Sequence, residues 1–134
     1  MRTPVRGTRR PAHISSDVAA LPSAELVQEL AGLFDLLSNE TRLAIVLALH
    51  ASRVANSELC VCDLAATVGA SPSLTSHQLR LLRDGDVVHQ RRDGKHALYR
   101  LVDGPLLQLL GDGMDHAKLH VALRPRERGA RQSR

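Results

Sequence analysis

The sequence predicts a mostly α-helical chain with one β-hairpin, the α+β arrangement of a winged helix-turn-helix. Three observations carry that expectation. Two short helical stretches flank the turn VGAS at residues 68–71. After the second of them the apolar period changes from helix-like to strand-like. The two strand-like runs are joined by Asp93-Gly94, a short-range signal for a hairpin with a type I′ turn.

Each element has its own signal. From Ser23, a residue suited to capping, SAELVQELAGLFDLLSN places Leu26, Leu30, Leu33, Phe34 and Leu37 on one helical stripe. A second, very apolar helix, NETRLAIVLALHAS, is entered through Asn39. The polar loop SRVANSE leads to ELCVCDLA and a short helix ending around Gly69. In ASPSLTSHQLRLLRDGD, Ser71 is the expected N-cap and Pro72 the first helical residue. Leu74, Leu79 and Leu82 are available for its inner side. VVHQRRDGKHALYRL is the hairpin. In the last helix Asp103 can cap and Pro105 can start, with Gly111 and Gly113 weakening the interior. No internal repeat is present.

A chain of 134 residues is of single-domain size, and the folded part is expected over residues 15–122. The aromatic content is 1%, Phe34 and Tyr99, so the core must be built from aliphatic side chains. That scarcity argues against recognition of single strands by base stacking. No apolar run reaches membrane-spanning length, and MRTPVRGTRRPA lacks the apolar core of a signal peptide, so a cytoplasmic location away from membranes is expected. The net charge of +4 is carried by the ends. Arg2, Arg6, Arg9 and Arg10 crowd residues 1–12, and five arginines face Glu127 in residues 121–134. Between residues 13 and 120, nine basic residues stand against thirteen acidic ones. Residues 1–14 and 123–134 therefore read as basic disordered tails, and the high pI does not by itself indicate nucleic-acid binding.

Cys60 and Cys62 are the only cysteines. In an extended strand, residues i and i+2 project to the same side, whereas a regular helix turns them apart by about 200°. The two thiols can share a ligand only where the chain is extended or just entering a helix. Such a position also favours thiolate through the helix dipole. In a reducing compartment the pair points to metal or thiol chemistry rather than a structural disulfide.

The second helix of the helix-turn-helix is expected to enter the major groove of double-stranded DNA, exposing Ser73, Thr75, Ser76, His77, Gln78 and Arg80. The wing RRDGK carries Arg91, Arg92 and Lys95 where cations would meet phosphates. From Arg80 to Arg100 there are six basic and three acidic residues, against the acidic balance of the centre.

LSNETRLAIVLAL, ELCVCDLA, SPSLTSHQLRLLRDGDVV and RRDGKHALYRL together resemble the ArsR/SmtB winged-helix metal-sensing repressors, over residues 26–120. The resemblance implies a homodimer whose terminal helices pack together, and operator binding that weakens when an effector is bound. It places Cys60 and Cys62 at the family's thiolate site on the third helix. Arsenic sensors often carry a third cysteine where this chain has Ala65, so the segment alone cannot form a three-thiolate As(III) site. Cadmium and lead sensors complete the site from the N-terminal arm, commonly with cysteines, where this chain offers only His13 and Asp17. Two thiolates with a nitrogen or oxygen donor suit Cd(II), Pb(II) or Zn(II), with As(III), Sb(III) and Hg(II) as alternatives. A second family site on the last helix would use Asp103 and His116. Pro105 and Leu119 replace two of its expected ligands, and His120 lies four residues after His116. There the bland alternative is that Asp103 caps the helix and the histidines are solvated or near the dimer seam. His50, His77, His89 and His96 show no paired spacing and read as polar contacts.

Two other readings of the cysteines stay open: a redox switch through sulfenate or an intersubunit disulfide, and a thiol enzyme with Cys62 as nucleophile. The enzyme reading is opposed by the absence of a Gly-rich cleft motif or an oxyanion donor.

Overall fold

The computed structural model describes residues 20–125. They form α1 (Ala24–Leu37), α2 (Glu40–Val54), β1 (Leu59–Cys60), α3 (Val61–Val68), α4 (Pro72–Asp84), β2 (Val88–Asp93), β3 (His96–Leu101) and α5 (Pro105–Leu123). No described helix is long and apolar enough to cross a membrane. The arm at residues 1–14 lies outside the described residues, as does most of the tail at 123–134.

Residues up to Gly32 belong to a unit of their own, and its described part is the start of α1. Ser23 caps that helix, its Oγ accepting from the Leu26 N–H at 3.2 Å. Leu26, Val27 and Leu30 are exposed.

The second unit, from Leu33 onward, holds the core. Its central element is α2, whose Ile45, Val46 and Leu49 are wholly buried. Asn39 starts this helix, accepting from the Arg42 N–H at 3.0 Å. Leu64 of α3, Leu79 and Leu82 of α4, and Val88, Tyr99 and Leu101 of the hairpin pack against it in one cluster. Residues spaced by three and four on α4 face inward together, which is why Leu79 and Leu82 share the core. Leu74 does not fit that phase and is 41% exposed, so it is not an inner residue of this chain. From α5, Leu110 reaches the core, and the Leu107 carbonyl accepts from His50 Nε2 of α2 at 3.2 Å. Leu37 closes the cluster, whereas Phe34 is half exposed.

The turn between α3 and α4 follows from Gly69, the C-cap of α3 at φ +69°, a left-handed conformation that glycine adopts without a Cβ clash. Ser71 then caps α4, accepting from the Leu74 N–H at 3.1 Å, with Pro72 at the first helical position.

The sheet has the order β1-β3-β2 and is antiparallel throughout. Its hairpin turn sits one residue later than the sequence suggests. Asp93 pairs with His96 inside the ladder, so the connecting residues are Gly94 and Lys95. Only Gly94 has positive φ, at +60°, which excludes a type I′ turn and matches the type II′ preference for glycine at the first central position. A second correction concerns α5. Its N-cap is Gly104, at φ +114°, because the Asp103 side chain is engaged by Arg53 and Arg100 instead.

Candidate metal centre and nucleic-acid interface

The cysteine segment is extended at its first residue and helical at its third. Cys60 ends β1, pairing with Leu98 of β3, and is also the N-cap of α3 at φ −85° and ψ 168°. Cys62 is the second residue of the helix. Both thiols are free; Cys60 is half-buried and Cys62 exposed. The Cys60 Sγ–H donates to Asp63 Oδ2 at 3.1 Å. Asp63 was not singled out from the sequence, yet its signal was present. A side chain three residues into a helix commonly reaches back to the N-cap residue. The start of α3 thus offers two soft sulfurs and one hard oxygen. Among the described residues, no three His, Cys, Asp or Glu side chains are grouped closely enough to hold a metal ion. His13 and Asp17, the expected donors from the arm, lie outside the described residues.

On α5 the rings of His116 and His120 meet edge to face, Nε2 to Nε2 at 3.1 Å. Asp103 does not join them within a protomer. Its carboxylate pairs with Arg53 and, at 3.3 Å, with Arg100, which holds it at the foot of the wing. Asp112, one turn before His116, accepts from Gln108 Nε2 at 2.9 Å.

The outward face of α4 consists of Ser73, Ser76, His77 and Arg80. Thr75 and Gln78, expected on that face, are buried instead. The reason is the phase set by Leu79 and Leu82, which turns positions 75 and 78 inward with them. Gln78 is satisfied there, since its Oε1 accepts from Arg42 Nη1 at 3.1 Å. The same guanidinium donates through Nε to the Leu36 carbonyl at 2.7 Å. Thr75 Oγ1 has no hydrogen-bond partner among the described residues.

The three wing cations differ. Arg92 and Lys95 are exposed, and neither has an acidic partner among the described residues. Arg91 is held by Glu58, the residue before β1. Its Nη2 donates to Oε1 at 2.7 Å, and its Nε reaches both carboxylate oxygens at 3.2 Å. The Arg91 hydrogen bond holds the Glu58 carboxyl below the usual carboxylate range, and in turn raises the guanidinium of Arg91. Beside the wing, Ser76, Arg80 and Arg83 of α4 line a hollow of about 180 Å³ with Gln90 and Tyr99, and Arg83 donates to Gln90. The outward face of α4 and the wing thus adjoin and together present arginines and hydroxyls, the groups that engage phosphates and groove edges.

Comparison with known proteins gives the same assignment. Residues 39–90 match the family described as "Bacterial regulatory protein, arsR family". The chain is 40% identical over 94 residues to a transcriptional repressor SmtB homolog of Synechocystis, covering 70% of this chain and 67% of that one. It is 41% identical over 86 residues to the cadmium resistance transcriptional regulatory protein CadC of Listeria innocua, covering 64% of this chain and 69% of that one. Among solved structures, the homodimeric winged helix-turn-helix DNA-binding domain Mb0332 of Mycobacterium bovis superposes with a TM-score of 0.65 at 25% identity. That match covers 79% of this chain and 95% of the other. With a winged helix-turn-helix among the described residues and two of these relatives above 30% identity, the chain belongs to the ArsR family of transcriptional regulators.

Proposed function

We propose that this protein is a homodimeric repressor that releases operator DNA when Cys60 and Cys62 bind a heavy-metal ion. The observation that carries the reading is the contact of Cys60 with Asp63 at the start of α3. It puts a carboxylate beside one of two neighbouring thiols, on the first helix of the helix-turn-helix. Two thiolates completed by a nitrogen or oxygen donor from outside the described residues suit a thiophilic divalent ion, Cd(II), Pb(II) or Zn(II), better than As(III), which favours three sulfurs. Similarity to CadC, a cadmium resistance transcriptional regulatory protein, supports the same choice. His13 or Asp17 from the arm completes the coordination in this reading. A metal joining Cys60 to that arm would act on β1, α3 and the wing together, because Cys60 pairs with β3.

The decisive experiment titrates Cd(II), Pb(II), Zn(II) and As(III) in excess reductant. It follows ultraviolet thiolate-to-metal absorption and, in parallel, release of a duplex selected from a random pool by the metal-free protein. Cys60→Ser and Cys62→Ser should stay folded and bound to DNA but lose both signals, since a serine hydroxyl at neutral pH is a poor ligand for soft ions. Asp63→Asn should weaken metal binding without abolishing the absorption. His116→Ala with His120→Ala should matter less. Release abolished by the histidine pair but normal in the cysteine variants would move the sensor to α5. Release driven by oxidant, with no metal absorption, would favour the redox reading.

A further inference from the structure

The wing and the cysteine segment are one sheet. Cys60 faces Leu98 across one ladder of β3, and Leu98 faces Arg91 across the other. Residues paired across strands project to the same side, so Cys60, Leu98 and Arg91 form a row on one face of the sheet. Glu58 lies two residues before Cys60, and its carboxylate reaches that face to take Arg91 in the side-on geometry given above. Glu58 lines a shallow hollow of about 340 Å³ with His89, Gln90, Arg91 and Arg100.

The chemistry of that grip is the chemistry by which arginine takes a phosphate. A guanidinium edge donates two parallel N–H bonds to two oxygens of an anion, carboxylate or phosphodiester alike. The Glu58 side chain is 25% exposed and that of Arg91 is 56% exposed, so the acid is the more sheltered partner and the cation still reaches the surface. Arg92 and Lys95 on the same hairpin have no such acid among the described residues.

We propose that Glu58 is an internal stand-in for a DNA phosphate on Arg91, muting one wing cation, and that a metal ion on Cys60 strengthens this hold. β1 is only two residues long, so a ligand that fixes Cys60 also fixes the backbone that carries Glu58. Without metal the strand yields and a phosphate competes for Arg91. With metal the carboxylate stays, and the wing of each protomer offers DNA two cations instead of three. The metal half of this proposal rests on the metal reading given above. The stand-in itself does not.

The test uses the full chain and a duplex of fixed sequence, with affinity measured against salt. In the metal-free protein, Glu58→Gln keeps the shape of the side chain and removes its charge. It should bind DNA more tightly, and its log affinity should fall with log salt more steeply, by about 0.9 per protomer, the value for one added phosphate contact. Arg91→Ala should cost more affinity in the Glu58→Gln background than in the wild type. No gain in affinity from Glu58→Gln, or an equal cost of Arg91→Ala in both backgrounds, overturns the stand-in and makes Glu58 a mere support of the sheet. Cd(II) should weaken DNA binding by a smaller factor in Glu58→Gln than in wild type while the thiolate absorption persists. An unchanged factor with that absorption intact overturns the coupling. Loss of the absorption in wild type would instead refute the metal reading, and the metal-free comparison would still decide the stand-in.

Discussion

Arg42 is the side chain whose removal should most directly misplace α4. Its Nε donates to the carbonyl of Leu36, one of the last four of α1, which helix bonding leaves without a donor. Its Nη1 donates to Gln78, which is 8% exposed on the inner face of α4. Arg42→Ala removes both bonds and leaves a buried amide oxygen and a helix-end carbonyl unpaired. Hydrogen bonds to a charged donor are worth about 1.5–3 kcal/mol each. Taking the low end, because Arg42 is only half-buried, gives a loss of about 3 kcal/mol. At roughly 4 °C per kcal/mol for a domain of about this size, the melting temperature should fall by roughly 12 °C. The assay is urea and thermal unfolding at one protomer concentration, since association shifts apparent stability by mass action. Gln78→Ala and the double variant complete the cycle, with a coupling of about 1 kcal/mol expected for a direct contact. DNA affinity should fall in Arg42→Ala even where the variant remains folded, because α4 loses the contact that sets its tilt. A loss below about 0.5 kcal/mol, or strict additivity with Gln78→Ala, would refute the reasoning.

Further outcomes are expected for the wing, α4 and α5. Arg92→Ala with Lys95→Ala should weaken binding to all duplexes alike and flatten the salt dependence by about two contacts per protomer, whereas His77→Ala should alter preference among sequences; equal loss without a change in slope would deny the wing a phosphate role. Leu109, 36% exposed on α5, lines with Phe34, Leu47 and Met114 an apolar groove of about 400 Å³, so Leu109→Glu should shift sedimentation from dimer towards monomer at micromolar concentration. Leu110 lies at the floor of the same groove and is buried in the core cluster, so its replacement is expected to affect folding first.

What the sequence made legible is what neighbouring residues decide among themselves. Ser23, Asn39 and Ser71 cap their helices by bonds to an N–H three residues on, and Gly69 ends α3 by its own backbone freedom. The inward turn of Thr75 and Gln78 was also recoverable. Leu79 and Leu82 fix the phase of α4, and positions 75 and 78 follow from it, but their polarity made them look outward. Nothing local, however, says that a buried glutamine is tolerable. That depends on Arg42, thirty-six residues away along the chain. The same holds for Arg91, which reads as a free wing cation until the fold brings Glu58 to it from thirty-three residues away. The pairing of Cys60 with the wing was equally hidden, since a two-residue strand has no periodicity to read. The hairpin turn lay between these cases: Asp-Gly announced it, and only the ladder decided which two residues span it.

Tyr99 gives this arrangement an optical consequence. The chain has no tryptophan and a single tyrosine. That ring is 8% exposed in the middle of β3, with Leu59 of the cysteine strand on one side and Gln90 of the wing on the other. All intrinsic ultraviolet emission above phenylalanine therefore originates at the seam between the thiol segment and the wing. A label-free titration of this protein therefore reads the surroundings of that one ring, the seam together with the core it packs against, with no engineered fluorophore to disturb it.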